Sequence, residues 1–217
     1  MSPSPCARAR TALLALALVA AVAGCTADDE SEPGPSPQTS ASSAPTLMVE
    51  PGPLRVRLAP VRGQLAEQAR DDVRATMRRV LGAWMEGGFG VQGGPDHPQA
   101  YARYTPRAGD LARRQRAVTT TAALGPELVE VLPTRRVAEV SVLAAGGRAV
   151  GASADVLLVL VGAREDGSQT ELVVRGRLRL TPTSDGWKVF GFDLTRSVGA
   201  PGTHARSVRG QRAGGGR

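Results

Sequence analysis

The sequence is poor in the residues that build disulfides, metal sites and aromatic cores. Its 217 residues include two cysteines, two histidines and 3% aromatic residues. It carries no zinc-ligand spacing, no Gly-x-Ser-x-Gly turn, no phosphate-binding loop and no paired-carboxylate motif. We therefore expect no metal, no cofactor and no catalytic residue that a motif would identify. The length excludes a large multidomain enzyme and allows one domain with tails.

The positive charge of the chain is concentrated at its two ends. The formal net charge is +7, yet bases and acids are equal in number across 26–195, at 20 each. Arg8 and Arg10 account for the N-terminal excess, and 196–217 contains arginines but no acid. The neutrality of the body weakens the nucleic-acid interpretation that the net charge of the whole chain would suggest, so we expect no nucleic-acid partner.

The N-terminus has the pattern of a secretory signal that ends at a cysteine. Arg8 and Arg10 precede an apolar run at 11–22, which continues into Val-Ala-Gly-Cys at 22–25. This run is shorter than the about 20 residues that span a bilayer. The tetrad resembles the lipobox of bacterial lipoproteins. The resemblance implies lipidation of the Cys25 thiol, cleavage before it, and a lipid-anchored position on the extracytoplasmic face of the cell membrane.

Composition divides the chain into four segments. Residues 1–24 form the expected lipoprotein signal peptide. Residues 25–53 hold the lipidated cysteine and a Ser/Pro-rich stretch that has no large apolar residue from 26 to 46, so we expect a disordered tether. The folded domain is expected at 54–195. Residues 196–217 have scattered Gly and Arg without apolar periodicity, which predicts a disordered basic tail.

Two helices and a strand are predicted in the first half of the domain. Residues 54–58 alternate like a short strand, and 64–86 carry apolar residues at the spacing of one helical face. We expect that helix to end at Gly87-Gly88, because glycine suits a C-terminal cap. Thr105 and Pro106 have the residue types of an N-cap and a first helical position, so a second, shorter helix is predicted there.

The second half has the period of a sheet. Val- and Leu-rich segments at 137–144, 148–163, 171–181 and 187–195 are separated by glycine turns. They predict consecutive antiparallel strands. The expected fold class is α+β, with one long and one shorter helix packed on a curved antiparallel sheet of four or more strands.

The order of these elements, with Gly-Trp-Lys-Val-Phe-Gly-Phe-Asp at 186–193 in the last strand, resembles a known superfamily. It is the cystatin-like roll of nuclear-transport-factor-two and SnoaL-like proteins. The chain is also similar to Mce-associated proteins and related actinobacterial lipoproteins. This resemblance implies a non-enzymatic binding or accessory module of the cell envelope. The alternative that it leaves open is a SnoaL-like or isomerase-like enzyme acting on a small apolar ligand in the cone of the roll.

The aromatic residues form the candidate pocket. They fall in two short segments that the roll would bring together. The pocket candidates are Trp84, Phe89, Tyr101, Tyr104, Trp187 and Phe190. The competing interpretation is that these rings are simply core. The enzyme alternative would use Tyr101 or Tyr104 with Asp110 in the cone, and His97, Asp155 and Asp193 are the other side chains that it could recruit.

One strand carries an arginine ladder. Arg175, Arg177 and Arg179 occupy alternate positions and therefore share a face. They could meet the phosphates or carboxylates of an envelope polymer or lipid. The alternative is a solvated face on which they pair across strands with Glu139 or Asp155. The expected partners are therefore the membrane, through the lipid anchor, and an envelope protein, lipid or polymer.

Overall fold

The computed structural model describes residues 51–90 and 93–203, which form an α+β body. The predicted signal peptide, Cys25, the tether as far as residue 50 and the tail from residue 204 lie outside the described residues. The helices and strands are β1 Leu54–Leu58, α1 Glu67–Phe89, α2 Pro106–Arg114, α3 Arg116–Thr119, β2 Leu128–Ala145, β3 Arg148–Arg164, β4 Gln169–Thr183 and β5 Gly186–Gly199, with a short 3₁₀ helix at Thr121–Leu124 before β2.

The sheet has five strands in the order β1-β2-β3-β4-β5 and is mixed. Strands β2 to β5 pair antiparallel with their chain neighbours, whereas β1 pairs parallel to β2, with Val56 opposite Ala138. The expectation of a purely antiparallel sheet is therefore wrong at this edge. The cause is the connection: α1 and α2 lie between β1 and β2, and a crossover of that kind returns the chain in the same direction.

Strands β2 and β5 are longer than the sequence pattern predicts. Strand β2 begins at Leu128 rather than at 137. The sequence pattern missed its first half, because Pro133 and a register shift before Arg135 interrupt the alternation of apolar and polar residues there. Strand β5 continues to Gly199, since Ser197 and Val198 still pair with β4. The first four residues of the predicted tail therefore belong to the sheet, and the expected domain boundary at 195 is too early.

Helix α1 also ends later than predicted. It runs to Phe89, and Gly87 and Gly88 lie inside it rather than capping it. Both glycines are buried where loop backbone approaches the helix. A β-carbon at Gly87 would lie 2.8 Å from the carbonyl carbon of Gln99, and one at Gly88 would lie 2.6 Å from the carbonyl oxygen of Thr119. Glycine is present at both positions because the backbone of the loop at Gln99 and of the last residue of α3 packs directly on the backbone of α1.

The hydrophobic core lies between α1 and one face of the sheet. On the helix, Met77, Leu81, Trp84, Met85 and Phe89 are at most 1% exposed. They pack against every second residue of the strands, which is the period of a sheet with one buried face. The buried residues of the sheet include Val140, Val142, Leu158, Leu160, Leu172, Leu178 and Leu180. We call the opposite face of the sheet the outer face.

Candidate functional site

The interior between α1 and the sheet is occupied by an aromatic cluster. The indole N–H of Trp84 donates a 2.6 Å hydrogen bond to the hydroxyl of Tyr104. Trp84 also meets Phe89 edge to face at 5.4 Å between ring centroids, and Tyr104 meets Phe192 at 5.8 Å. Trp84 is 1% exposed and Tyr104 is 5% exposed. The rings pack on one another, and their two polar atoms satisfy each other.

Backbone hydrogen bonds hold Tyr104 in this cluster. The N–H of Thr105 donates to the carbonyl of Val189, and the N–H of Val189 donates to the carbonyl of Arg103, at 2.9 and 2.8 Å. These bonds attach the segment before α2 to the edge of β5. The phenol is therefore fixed from both sides, by the strand at its backbone and by Trp84 at its hydroxyl.

Five of the six predicted pocket residues lie in or against the core. Trp84, Phe89 and Tyr104 belong to it, and Tyr101 and Trp187 are partly buried against it. Tyr101 lies 6.4 Å from Tyr104 between ring centroids. The guanidinium of Arg113 lies over the ring of Tyr101, at 5.0 Å from the ring centroid. This arrangement agrees with the core interpretation of the aromatic residues.

The sixth predicted residue, Phe190, is on the other face. It is 50% exposed and lines a groove on the outer face. The register of β4 and β5 shifts between Arg179 and Leu180, which pair with Gly191 and Val189. This β-bulge leaves Phe190 as the extra residue and turns it outward. The grouping of Phe190 with the other rings is therefore wrong.

One surface cavity of the described residues reaches the aromatic cluster at Tyr104, beside α2, but the inner rings of the cluster, Trp84 and Phe89, border none. Five cavities in the described part of the chain have volumes from about 250 to about 570 Å³, and neither Trp84 nor Phe89 forms part of their walls. Tyr101 and Tyr104 line one of about 350 Å³ beside α2. The space that a ligand in the cone would need holds side chains instead.

The acid and base that the enzyme alternative requires are not together in the interior. Asp110 is exposed on α2, where it forms a salt bridge with Arg113 at 3.0 Å. His97 is part of a loop, and its Nδ1 accepts a 3.2 Å hydrogen bond from the backbone N–H of Gln99. The pairing of Asp110 with Tyr101 or Tyr104 that the enzyme alternative would use is not formed, because the carboxylate is exposed and bound to Arg113.

Burial affects the acidity of both tyrosines. Burial raises the pKa of Tyr104 well above its ordinary value near 10, and the hydrogen bond from Trp84 opposes this only in part. Burial also raises the pKa of Tyr101, against the opposing charges of Arg113 and Arg116. Both phenols are therefore neutral at physiological pH, which suits a structural hydrogen bond and does not suit a general base.

We expect the phenol of Tyr104 to make the fold sensitive to alkali. Since its folded pKa is raised above the unfolded value near 10, its contribution to stability is complete below pH 10 and is lost as the pH rises above it. Tyr104→Phe should lower stability at neutral pH by about 1–3 kcal/mol, because the Trp84 N–H is left unpaired. It should also flatten the decline of stability above pH 10. Urea unfolding at pH 7 to 11 measures both effects, and an equal decline in the two proteins would contradict this role of Tyr104.

The outer face carries the arginine ladder. Arg177 forms two hydrogen bonds with Asp155, from Nε to Oδ1 at 2.8 Å and from Nη2 to Oδ2 at 3.1 Å. This confirms the predicted pairing with Asp155. Arg175 and Arg179 form no salt bridge within residues 51–90 and 93–203. The ladder therefore has one guanidinium fixed by its partner and two that face solvent.

A groove of about 550 Å³ lies beside this ladder on the outer face. Its lining mixes polar and apolar residues, and it includes an exposed apolar side chain on β2, Leu143, and another on β5, Phe190. The groove is lined by side chains that include Arg62, Ser141, Leu143, Ser153, Asp155, Arg177, Arg179 and Phe190.

Arg62 and Phe190 are the members of this groove that the sequence pattern missed. Arg62 follows β1 in a stretch that resembles a loop, and an isolated bridge to Leu143 brings it to the sheet. Its backbone N–H donates to Val142 and its carbonyl accepts from Ala144. No local signal reports such a long-range bridge. For Phe190, the glycine at 191 is a possible bulge signal within the strand pattern.

No group of three or more His, Cys, Asp or Glu side chains in the described residues is arranged to hold a metal ion. Within the same residues, no helix is long and apolar enough to cross a membrane. Comparisons of the chain with protein-family models, with curated proteins and with solved structures found no match.

Proposed function

We propose that this chain is a lipid-anchored binding or accessory module on the extracytoplasmic face of the cell membrane, with a cystatin-like roll as its fold. It acts without catalysis and presents a surface to an envelope protein, lipid or polymer. The observation that favours this proposal over the enzyme alternative is the packed interior between α1 and the sheet.

The packing of the aromatic residues supports a module without catalytic activity. In a catalytic roll the cone between helix and sheet must admit a ligand and a catalytic group. Here the hydrogen bond between Trp84 and Tyr104 closes that space, and Phe89 and Phe192 pack on the two rings. Asp110, the carboxylate that would act with a tyrosine, is engaged with Arg113 at the surface. Binding is therefore assigned to the exterior of the body.

The support for the anchor comes from the N-terminal sequence. Cys25 follows an apolar run and a Val-Ala-Gly segment, and 26–46 has no large apolar residue that could hold the chain in a bilayer. Acyl chains on Cys25 would supply the membrane affinity, at about 0.8 kcal/mol per buried methylene. A flexible chain of about 28 residues has an r.m.s. span of about 30 Å, so the proposed tether would allow the body to reach the headgroups.

Metabolic labelling with an alkynyl fatty acid tests this proposal. The wild-type protein should take up the label and sediment with membranes. Cys25→Ser should take up none, and it should remain as an uncleaved precursor or appear in the soluble fraction. The matched control is Cys6→Ser, since Cys6 is the only other cysteine of the chain and lies in the expected signal peptide. Cys6→Ser should be labelled like wild type.

Two results would contradict the anchor. The first is a wild-type protein that takes up no label. The second is a Cys25→Ser protein that is labelled as strongly as the Cys6→Ser control. Either result would remove the basis for placing the module at the membrane.

A further inference from the structure

We propose that the outer face of the sheet is the surface through which this protein contacts anionic phospholipid headgroups of a bilayer. This inference rests on the proposed function, because the lipid anchor brings the bilayer within reach of the body. It adds a second contact, made by the folded domain itself, and it assigns that contact to one face.

Charge on the outer face is the first observation. Residues paired across the sheet point to the same side, so Arg57, Glu139, Asp155, Arg177 and Asp193 form one row from β1 to β5. The neighbouring rows and the groove add further arginines and no exposed carboxylate. The arginines of this part of the face are Arg55, Arg57, Arg62, Arg175, Arg177 and Arg179. They outnumber the three carboxylates, so this part of the face is positive although 26–195 as a whole is neutral.

The arrangement of the guanidinium groups is the second observation. Asp155 holds Arg177 through Nε and Nη2, which leaves its Nη1 available for a phosphate. Arg179 extends over the bulge at Gly191, where a β-carbon would lie 3.9 Å from Nη1 of Arg179. Ser141 and Ser153, which pair across β2 and β3, line the same groove and carry hydroxyl groups. The groove therefore offers charged and neutral donors for headgroup oxygens.

Exposed apolar side chains on the same face are the third observation. Phe190 is 50% exposed and Leu143 is 54% exposed, and both line the groove with the arginines. A free phosphate or a polyanionic polymer has no apolar part that could contact these two side chains. The boundary between headgroups and acyl chains accommodates an aromatic ring and a leucine beside basic residues. This combination favours a bilayer over a soluble anion.

Vesicle binding of the full-length chain that carries Cys25→Ser tests the proposal, because the acyl anchor is then absent. Co-sedimentation with vesicles of phosphatidylcholine measures the binding that is independent of lipid charge. Vesicles that also contain phosphatidylglycerol should bind this protein more strongly. Near an anionic surface, one basic residue contributes about a fivefold change in affinity. Arg175→Gln with Arg179→Gln should therefore reduce the affinity for phosphatidylglycerol vesicles by about 25-fold.

The matched control is Arg70→Gln with Arg78→Gln. Both are exposed arginines of α1, on the opposite side of the sheet, and the control removes the same charge. Because charges beyond about 8 Å are screened at physiological salt, the control should change the affinity by about twofold or less. Phe190→Ala should reduce binding to phosphatidylglycerol vesicles by about fivefold, with an unchanged melting temperature.

Two outcomes would overturn the assignment. If the Arg175/Arg179 and Arg70/Arg78 pairs lose equal affinity, the outer face has no special role. If millimolar glycerol 3-phosphate displaces the protein from the vesicles, the groove is a site for a small phosphate ligand and not a bilayer contact. Neither outcome depends on acylation, since Cys25 is absent from the tested chain. A failure of the proposed anchor is recognised separately by the labelling experiment.

Discussion

Trp84→Ala is expected to lower the free energy of unfolding by about 3–5 kcal/mol, the range for truncation of a buried aromatic residue. Trp84 is 1% exposed, contacts Phe89 edge to face and donates its N–H to Tyr104. The substitution therefore leaves a cavity and also removes the partner of a buried hydroxyl. Since the free energy of unfolding of a domain is only about 5–15 kcal/mol, we expect the variant to be partly unfolded at 37 °C.

Urea denaturation followed by circular dichroism measures this change. The control is Phe190→Ala, which removes an aromatic ring from an exposed position and should change stability by about 0.5 kcal/mol or less. If Trp84→Ala costs less than about 1 kcal/mol, the indole borders an open space rather than a packed interior. Such a result would restore the enzyme alternative, since the cone could then admit a ligand.

Local patterns in the sequence predicted the elements whose residues repeat with a clear period. The apolar stripe of α1 and the alternation at 174–180 in β4 each arise from burial of one face, and the structure shows both. The α+β class follows from that order of helices and strands. The beginning of β2 was not predictable in this way, because Pro133 and the register shift beside it interrupt the alternation.

The parallel pairing of β1 depends on contacts between distant parts of the chain. Leu54 pairs with Arg136 and Leu58 with Val140, and no residue near β1 reports which strand it joins or in which direction. The same holds for the bridge of Arg62 to Leu143. Sequence patterns report burial period and turns, whereas strand order and direction follow from how α1 packs.

The sequence predicted most residues of the candidate site, but it did not predict how all of them are arranged. The sequence pattern grouped the aromatic residues, and most of them do pack together, but one bulge in β5 moves Phe190 to the opposite face. The pairing of Arg177 with Asp155 was predictable, because register across an antiparallel pair places opposite charges side by side. The hydrogen bond between Trp84 and Tyr104 was not predictable from the sequence, since it joins α1 to a segment 20 residues further along the chain.

The two faces of the sheet have different surroundings. One face is filled by α1 and the aromatic cluster, which leaves the interior without the space for a ligand. The outer face keeps its arginines, its groove and its exposed Phe190. The bulge in β5 is the local feature that places an aromatic residue, Phe190, on the outer face.

Gly87→Ala is expected to destabilise the protein by about 1–3 kcal/mol, although alanine is the better helix former. Gly87 lies inside α1 and is buried. A β-carbon there would lie 2.8 Å from the carbonyl carbon of Gln99 and 3.2 Å from the nitrogen of Ala100. These are backbone atoms, which cannot rotate away as a side chain could, so helix and loop must separate.

Gly82→Ala is the matched control in the same helix. Its β-carbon would meet only Cδ2 of Leu54, at 3.6 Å, which is ordinary contact. This variant should stabilise the protein by about 0.5–1 kcal/mol, the usual gain from replacing a helical glycine by alanine. Urea denaturation of the two variants in parallel gives opposite signs if close approach of the loop is the reason for glycine at Gly87.

A third variant separates this explanation from the capping role that the sequence pattern suggested. Asparagine tolerates the left-handed conformation of a helix cap better than alanine does, but it is larger. If Gly87 is required by the contact with Gln99, Gly87→Asn should destabilise the protein more than Gly87→Ala. If Gly87→Asn is instead the milder of the two, Gly87 acts as a cap, and α1 ends where the sequence predicted rather than at Phe89.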